Sequence, residues 1–450
     1  MTLGMQRFWA SPGAAPLPRV SRAEGLFVWD TTGRRYIDVT SGPVAVNIGH
    51  GNPRVLRAMR EQAERVCFAY PSTFESESTI RLSELLASEA GPGLECAFFV
   101  SSGSEAVEKC LQFARRHAIA RGERKRWKVI SRNPSYHGST RTTMALSGDP
   151  GYAAHLPEGQ PVFLVPAPFS YRVPGGPGAA EYAAQCAEAL RERILAEGPD
   201  SVLAFILEPV MGFCGGADHA PPAYYRRIRE ICDEFGVLLV YDEIISGAGR
   251  TGRFLAAHAW PDARPDLLTL AKGLGGGYYP LAAFLAPQGM VHTVAGDGGF
   301  HLGHTHKGHP LGCAVGLAVL EEMLERKLIE RAAETGAYLR GRLNALKGDI
   351  PILGDVRGLG MLNAIEIVAN PATREMLPRE LDVVGRLQAI ARARGLLIYG
   401  RRTHAGKFGD WLMVTPPLIA TREDVDEIVA GLSETLREYQ AELAKAGRLA

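Results

Sequence analysis

Asp266-Leu-Leu-Thr-Leu-Ala-Lys272-Gly-Leu-Gly-Gly-Gly-Tyr-Tyr-Pro280 sets an amine at the end of a short apolar run and follows it with glycines. Lysine is almost never fully buried unless paired. Glycine allows backbone to approach a ligand closely and to adopt φ values that other residues avoid. The same arrangement recurs upstream, where Val237-Leu-Leu-Val-Tyr-Asp242 closes an apolar run on a carboxylate. Val202-Leu-Ala-Phe-Ile-Leu closes on Glu208 in the same way. Three charged strand ends point to one ligand-binding sheet edge, the edge where open α/β sheets bind their ligands.

Outward from these strands, Cys96-Ala-Phe-Phe-Val, Lys128-Val-Ile-Ser and Val162-Phe-Leu-Val are further short, continuous apolar runs. Such runs suit parallel strands covered on both faces. Between them lie helical patterns, one opened by Ser101-Ser-Gly-Ser-Glu with Val107, Leu111, Ala114 and Ala118 on one face. The alternation predicts a doubly wound α/β domain over residues 60–325. Residues 1–59 read as an N-terminal segment with a hairpin turning at Asp30-Thr-Thr-Gly33. Asn52-Pro53 opens a helix there, with Val55, Met59, Ala63 and Val66 at helical spacing. A second helix covers about 77–89 and stops at Gly91-Pro-Gly. Residues 166–179 are a Pro/Gly-rich surface loop. A long helical stretch, 310–346, leads into a small α+β domain over 326–450, which the N-terminal hairpin is expected to join.

The chain has 450 residues and a formal net charge of +1, with 46% hydrophobic and 22% charged residues. That is ordinary globular composition. Near-neutral charge argues against nucleic acid or an anionic membrane as the main partner. The N-terminal Met1-Thr-Leu-Gly-Met-Gln-Arg-Phe-Trp shows no signal peptide, and no apolar run approaches the ~20 residues that span a bilayer. Seven scattered cysteines without a CxxC pair fit reduced thiols and a cytoplasmic location.

Two motifs carry competing readings. Gly247-Ala-Gly-Arg-Thr-Gly252 matches the dinucleotide pattern GxGxxG, yet no strand runs into it and no helix opens from it. His301, His304, His306 and His309 cluster without the helical HExxH context or a carboxylate or cysteine partner, so no metal is expected. Ser102-Gly103-Ser104 is either a plain helix cap or a phosphate cradle, because a helix N-terminus offers free N–H groups and a positive dipole end. Tyr136, after the strand at 128–131, is either a buried tyrosine or a stacking surface for a flat ligand. Amine, acid, phosphate cradle and aromatic together suit one cofactor, pyridoxal 5′-phosphate. It binds lysine as a Schiff base, and an acid at its ring nitrogen makes it an electron sink.

The ordered set Ser102-Gly-Ser-Glu-Ala, Tyr136-His-Gly, Glu208-Pro-Val-Met-Gly, Asp242-Glu-Ile-Ile-Ser-Gly, Lys272-Gly-Leu-Gly-Gly-Gly and Thr305 before Gly308-His-Pro resembles the class III pyridoxal-phosphate-dependent aminotransferases. The resemblance spans about residues 20–440. It implies the aspartate aminotransferase-like fold type I and a homodimer. Lys272 would be the Schiff-base lysine and proton shuttle, its pKa lowered by burial. Asp242 would pair with the ring nitrogen. Ser102, Gly103 and Ser104 would hold the phosphate, with Thr305 reaching it from the neighbouring subunit. Tyr136 and Ile244 would cover the two ring faces, with His137 and Glu208 in the surrounding hydrogen-bond network.

Where better-known amine:pyruvate members carry Ala-Gly-Leu-Trp, this chain has Ser41-Gly-Pro-Val44, and it has Gly247-Ala248-Gly-Arg for the usual Gly-Phe-Gly-Arg. Both changes predict a roomier substrate pocket, with Val44 at its wall. Arg401 and Arg402 fall where relatives place a carboxylate-binding arginine, and Arg402 is the favoured one of the two. The expected activity is transfer of an amino group from an ω-amino acid or amine to a 2-oxo acid such as pyruvate, with ping-pong kinetics. Within the family the alternatives are a diaminopelargonate-type aminotransferase or an aminomutase; outside it, a zinc- or nicotinamide-binding protein.

Overall fold

The computed structural model describes residues 16–173 and 178–449. The reading of Met1–Trp9 and the middle of the Pro/Gly-rich loop lie outside these residues. Three strands come first, β1 (Val20–Glu24), β2 (Phe27–Asp30) and β3 (Arg35–Asp38), antiparallel in order. Asp30 makes the β2–β3 turn expected from sequence, its Oδ1 accepting from the N–H groups of Thr32 and Arg34. The helix Pro53–Arg65 is capped by Asn52, whose side chain accepts from the N–H groups of Arg54 and Val55. Of its expected apolar face only Val55 is buried, and Ala63 and Val66 stand exposed.

Seven strands follow: β4 (Cys96–Val100), β5 (Lys128–Asn133), β6 (Phe163–Pro166), β7 (Val202–Leu207), β8 (Leu238–Asp242), β9 (Leu267–Leu270) and β10 (Ala282–Ala286). They form one sheet in the order β4-β10-β9-β8-β7-β5-β6. β10 is antiparallel to both neighbours, β4 and β9, while the pairings from β9 to β6 are parallel. Every residue of β7 is buried, as a strand covered on both faces requires. The helix Gly103–Ala120 packs on β9 and β10, and the helices Ala179–Glu197 and Pro222–Phe235 pack on each other. Burial of each large apolar side chain in such a core stabilises by roughly 1.5–3 kcal/mol.

The long helical stretch expected over 310–346 is two helices, Pro310–Glu325 and Leu328–Ala345. The break falls at Lys327, whose φ of +51° is left-handed and ends the first helix. Beyond it β11 (Leu353–Leu359) and β12 (Leu362–Ile367) form a hairpin. β13 (Leu396–Leu397) pairs in parallel with β3, so the N-terminal hairpin joins the C-terminal segment. β14 (Tyr399–Arg402) and β15 (Asp410–Val414) complete the order β11-β12-β15-β14, and the helix Arg422–Lys445 closes the chain.

Because β7, β8 and β9 are adjacent and parallel, their carboxyl ends meet at one sheet edge. Because β10 returns beside β9, residues 271–281 turn back at that same edge.

Candidate active site

Glu208 follows β7, Asp242 ends β8 and Lys272 lies two residues past β9; all three line one cavity of about 390 Å³. Lys272 adopts a φ of +45° in the turn that opens there, a conformation unusual for a side chain with a Cβ. Its Nζ donates to the Pro43 carbonyl at 2.8 Å, and no Lys272–Asp242 ion pair forms. Burial pushes the Lys272 amine down to about 8, against the opposing pull of the Asp242 and Glu208 charges. Asp242 is buried, and its Oδ2 meets His137 Nδ1 at 2.7 Å. Its Oδ1 accepts from the Ile244 N–H and the Thr269 hydroxyl, each at 3.2 Å. Glu208 accepts from the N–H groups of Tyr136 (2.9 Å) and Gly212 (3.0 Å), and desolvation raises its pKa. The sheet end of the cavity is thus an amine facing a wired pair of acids.

The opposite lining is the N-terminus of the helix Gly103–Ala120. Ser102 Oγ accepts from the Glu105 N–H at 3.3 Å, and Ser104 Oγ accepts from the Ser139 N–H at 3.1 Å. Ser102 therefore caps its helix while it and Gly103–Ser104 face the cavity. A Cβ at Gly103 would sit 2.8 Å from Ile244 Cδ1, so a larger residue there must displace that side chain. Gly138, at φ +133°, is closed to side chains by Ser104 Oγ at 2.6 Å. Tyr136 and Ile244 line the cavity between these ends. Tyr136 packs at a tilt of 33° against Phe213, with ring centroids 4.5 Å apart, and its hydroxyl is pushed up to about 12 by burial. An amine held by no carboxylate, a buried acid, the cavity-lining Tyr136 and Ile244 and a helix N-terminus form a set that fits pyridoxal 5′-phosphate.

Other residues stand elsewhere than the sequence suggested. Val44 is not at the cavity wall: at φ +64° it turns into the core with 4% exposure, and its neighbour Ala45 lines the cavity instead. Arg402 pairs with Asp410 at 3.0 Å and donates to the Leu377 carbonyl. Arg401 lies 4.2 Å over the ring of Phe213 and pairs with Asp149 at 3.1 Å. Thr305 is exposed and outside the lining of this cavity. Among the described residues no three His, Cys, Asp or Glu side chains gather as metal ligands. The glycines 247–252 follow β8 as a run of turns, without the strand–helix context of a dinucleotide site. Sequence reading missed Thr269, Phe213, Tyr279 and the Pro43 carbonyl, of which only Thr269, inside a strand that ends at the lysine, left a readable signal.

A model of the aminotransferase class-III family matches residues 10–436. An uncharacterized aminotransferase of Schizosaccharomyces pombe is 37% identical, covering 97% of this chain and 96% of the relative. A diaminobutyrate–2-oxoglutarate transaminase of Halomonas elongata is also 37% identical, over 97% of this chain and 94% of the relative. A thermostable (S)-enantioselective omega-transaminase from Thermomicrobium roseum superposes with a TM-score of 0.87 at 35% identity, over 94% of this chain and 92% of that one. With the family model over nearly the whole length and the cofactor's donor set at one sheet edge, the chain belongs to the class III aminotransferases, which depend on pyridoxal 5′-phosphate.

Proposed function

We propose that the protein moves an amino group from an ω-amino acid or amine donor to a 2-oxo acid such as pyruvate in two half-reactions, the ping-pong scheme. The observation that carries this reading is the placement of Lys272 Nζ in the cavity that Asp242 and Glu208 also line, with no carboxylate bound to it. Bound pyridoxal phosphate supplies an electrophilic aldehyde and a ring that accepts the electron pair of a breaking Cα–H bond. Asp242 holds the proton at the ring nitrogen, and its own orientation is set by His137, Thr269 and the Ile244 N–H. Ser102, Gly103 and Ser104 would hold the phosphate, while Tyr136 and Ile244 would cover the ring faces. Lys272 would take the substrate's α-proton on Nζ and would deliver it to C4′ of the bound cofactor; an amine near pKa 8 is suited to both steps. Glu208 holds the Tyr136 and Gly212 backbone and so the wall against which Tyr136 rests.

At the mouth, Arg401 rather than Arg402 suits the acceptor's carboxylate. Arg401 rests on Phe213, which packs at a tilt on Tyr136; its Nη2 is paired with Asp149 and its Nη1 meets only the Cys214 sulfur at 4.0 Å, whereas both terminal nitrogens of Arg402 are engaged by Asp410 and Leu377. The reading includes a homodimer in which Thr305 serves the neighbouring site. It is supported by the exposure of Thr305 and of Leu56, Val66, Phe68, Phe74 and Leu302. No helix among the described residues is long and apolar enough to cross a membrane. The seven free cysteines support the cytoplasm as the compartment.

The deciding experiment is a donor-by-acceptor screen of the holoenzyme. Amine donors should convert the bound cofactor to its amino form in the absence of acceptor, and pyruvate should restore it. Loss of the cofactor band only when both substrates are present would overturn the two-stage scheme.

A further inference from the structure

Arg250, the arginine of the Gly247–Gly252 stretch, is fully buried with no carboxylate in contact. Burial drives its pKa down to about 9, a sign of how poorly the interior solvates this cation. Its Nη1 donates to the carbonyls of Pro416 (2.6 Å) and Thr415 (3.2 Å). Its Nη2 donates to Asn47 Oδ1 (2.6 Å) and Ser41 Oγ (3.3 Å). One guanidinium therefore ties the turn after β8 to the segment after β15 and to residues 41–47. A planar five-donor fork does this where a point charge would not.

Both of the N-terminal contacts lead to Lys272. Ser41 begins the loop whose Pro43 carbonyl accepts from Lys272 Nζ, and whose Ala45 lines the cavity. Asn47, its amide fixed by Arg250 on one side and the Ala248 carbonyl (2.7 Å) on the other, packs on Gly273; any Cβ at 273 would overlap that amide. Four non-glycine residues with left-handed φ lie on these segments: Ser41 (+52°), Val44 (+64°), Ala248 (+50°) and Lys272 itself (+45°). Strain of this kind persists only where surrounding contacts over-determine it.

We propose that Arg250 is a positioning residue for the catalytic lysine. It holds residues 41–47 in the strained form that presents the Pro43 carbonyl to Lys272 Nζ and seats Asn47 on Gly273. The proposal rests on the reading of Lys272 as the reactive amine. Arg250 touches neither the cavity nor the amine, so its effect passes through Asn47 and the Ser41–Ala45 loop.

The test uses purified holoenzyme of R250Q, R250K and N47A, with K272A as control, read by steady-state kinetics and by circular dichroism of the bound cofactor's visible band. R250Q should lower kcat between about tenfold and 100-fold, the range that a small misplacement of a reacting group produces. KM for the amine donor should move less than about threefold. The visible dichroism should change, because the seat of Lys272 has shifted. R250K keeps the charge and loses the fork, so it should resemble R250Q. N47A should move the same readouts in the same direction by a smaller factor. A folded R250Q or N47A with wild-type kcat and an unchanged dichroism band, whatever its melting temperature, would overturn the proposal. If R250Q does not fold, N47A decides by the same criteria. K272A with full turnover would instead bring down the reading of the site itself.

Discussion

At the sheet end of the cavity, Glu208, Asp242 and Lys272 come from three consecutive hydrogen-bonded strands, and their spacing is set by the parallel ladder. Beside the cavity, Phe213, Tyr136, Tyr152 and Arg401 come from two loops, a short helix and an edge strand, and meet only through their side chains. The first kind of placement is rigid and shared with whatever else the sheet does. The second depends on a few contacts and is open to change. The proposed function puts reaction chemistry on the rigid end and choice of substrate on the adjustable one.

Substitutions at the two ends should therefore behave differently. The largest effect is expected of Lys272→Ala, which in the proposed mechanism removes nucleophile and proton carrier together. Turnover measured with any donor should fall by at least about 10⁴-fold, the upper range for a positioned acid–base group. Asp242→Asn keeps the shape and removes the charge, and kcat should fall by about 10²–10³-fold. The same variant gives a second, opposite signature. Burial lowers Lys272 from 10.5 to about 8 while the Asp242 charge opposes the shift. Uptake of pyridoxal phosphate by cofactor-free protein needs the neutral amine, so its rate should climb as pH rises through about 8 in the wild type. In Asp242→Asn the midpoint should lie lower, and a midpoint moved upward would contradict the assignment.

Gly103→Ala probes the boundary between the two ends. Its Cβ would meet Ile244 at 2.8 Å. Overpacking costs roughly 1–3 kcal/mol, so equilibrium dialysis should find cofactor affinity about 5- to 150-fold weaker. At the mouth, Arg401→Gln should raise KM about tenfold for carboxylated substrates and leave plain amines unaffected. An equal loss for both would place Arg401 in the structure rather than in recognition. The smallest effect is expected for Thr269→Val, which removes one hydrogen bond to Asp242 Oδ1. With a net value near 1 kcal/mol, kcat should drop about two- to fivefold.

The same contrast explains what could be read without a structure. Lys272, Asp242 and Glu208 announce themselves because each is a charge where an apolar run stops, a pattern local to a few residues. The strand alternation, the hairpin at Asp30 and the cap at Asn52 are local in the same sense. Thr269, buried within β9, left only a weak trace. Val44 was misplaced because the left-handed turns at Ser41, Gly42 and Val44 decide which neighbour faces the cavity, and no spacing rule anticipates them. The helix broken at Lys327 was hidden for a similar reason, since a single left-handed residue interrupts an otherwise continuous pattern. Phe213 and Arg401 meet Tyr136 across long stretches of chain, a contact that sequence spacing does not encode.

The return of β10 beside β9 has an evolutionary side. Residues 271–281 must leave one strand and re-enter the next at the same edge, and β10 is clamped in register by both β4 and β9. Gaining or losing one residue there would slip that register and turn core side chains outward. The amine would move with it. The stretch that carries the lysine is held in length by that register, and the seat of Asn47 on Gly273 restricts its side chains as well.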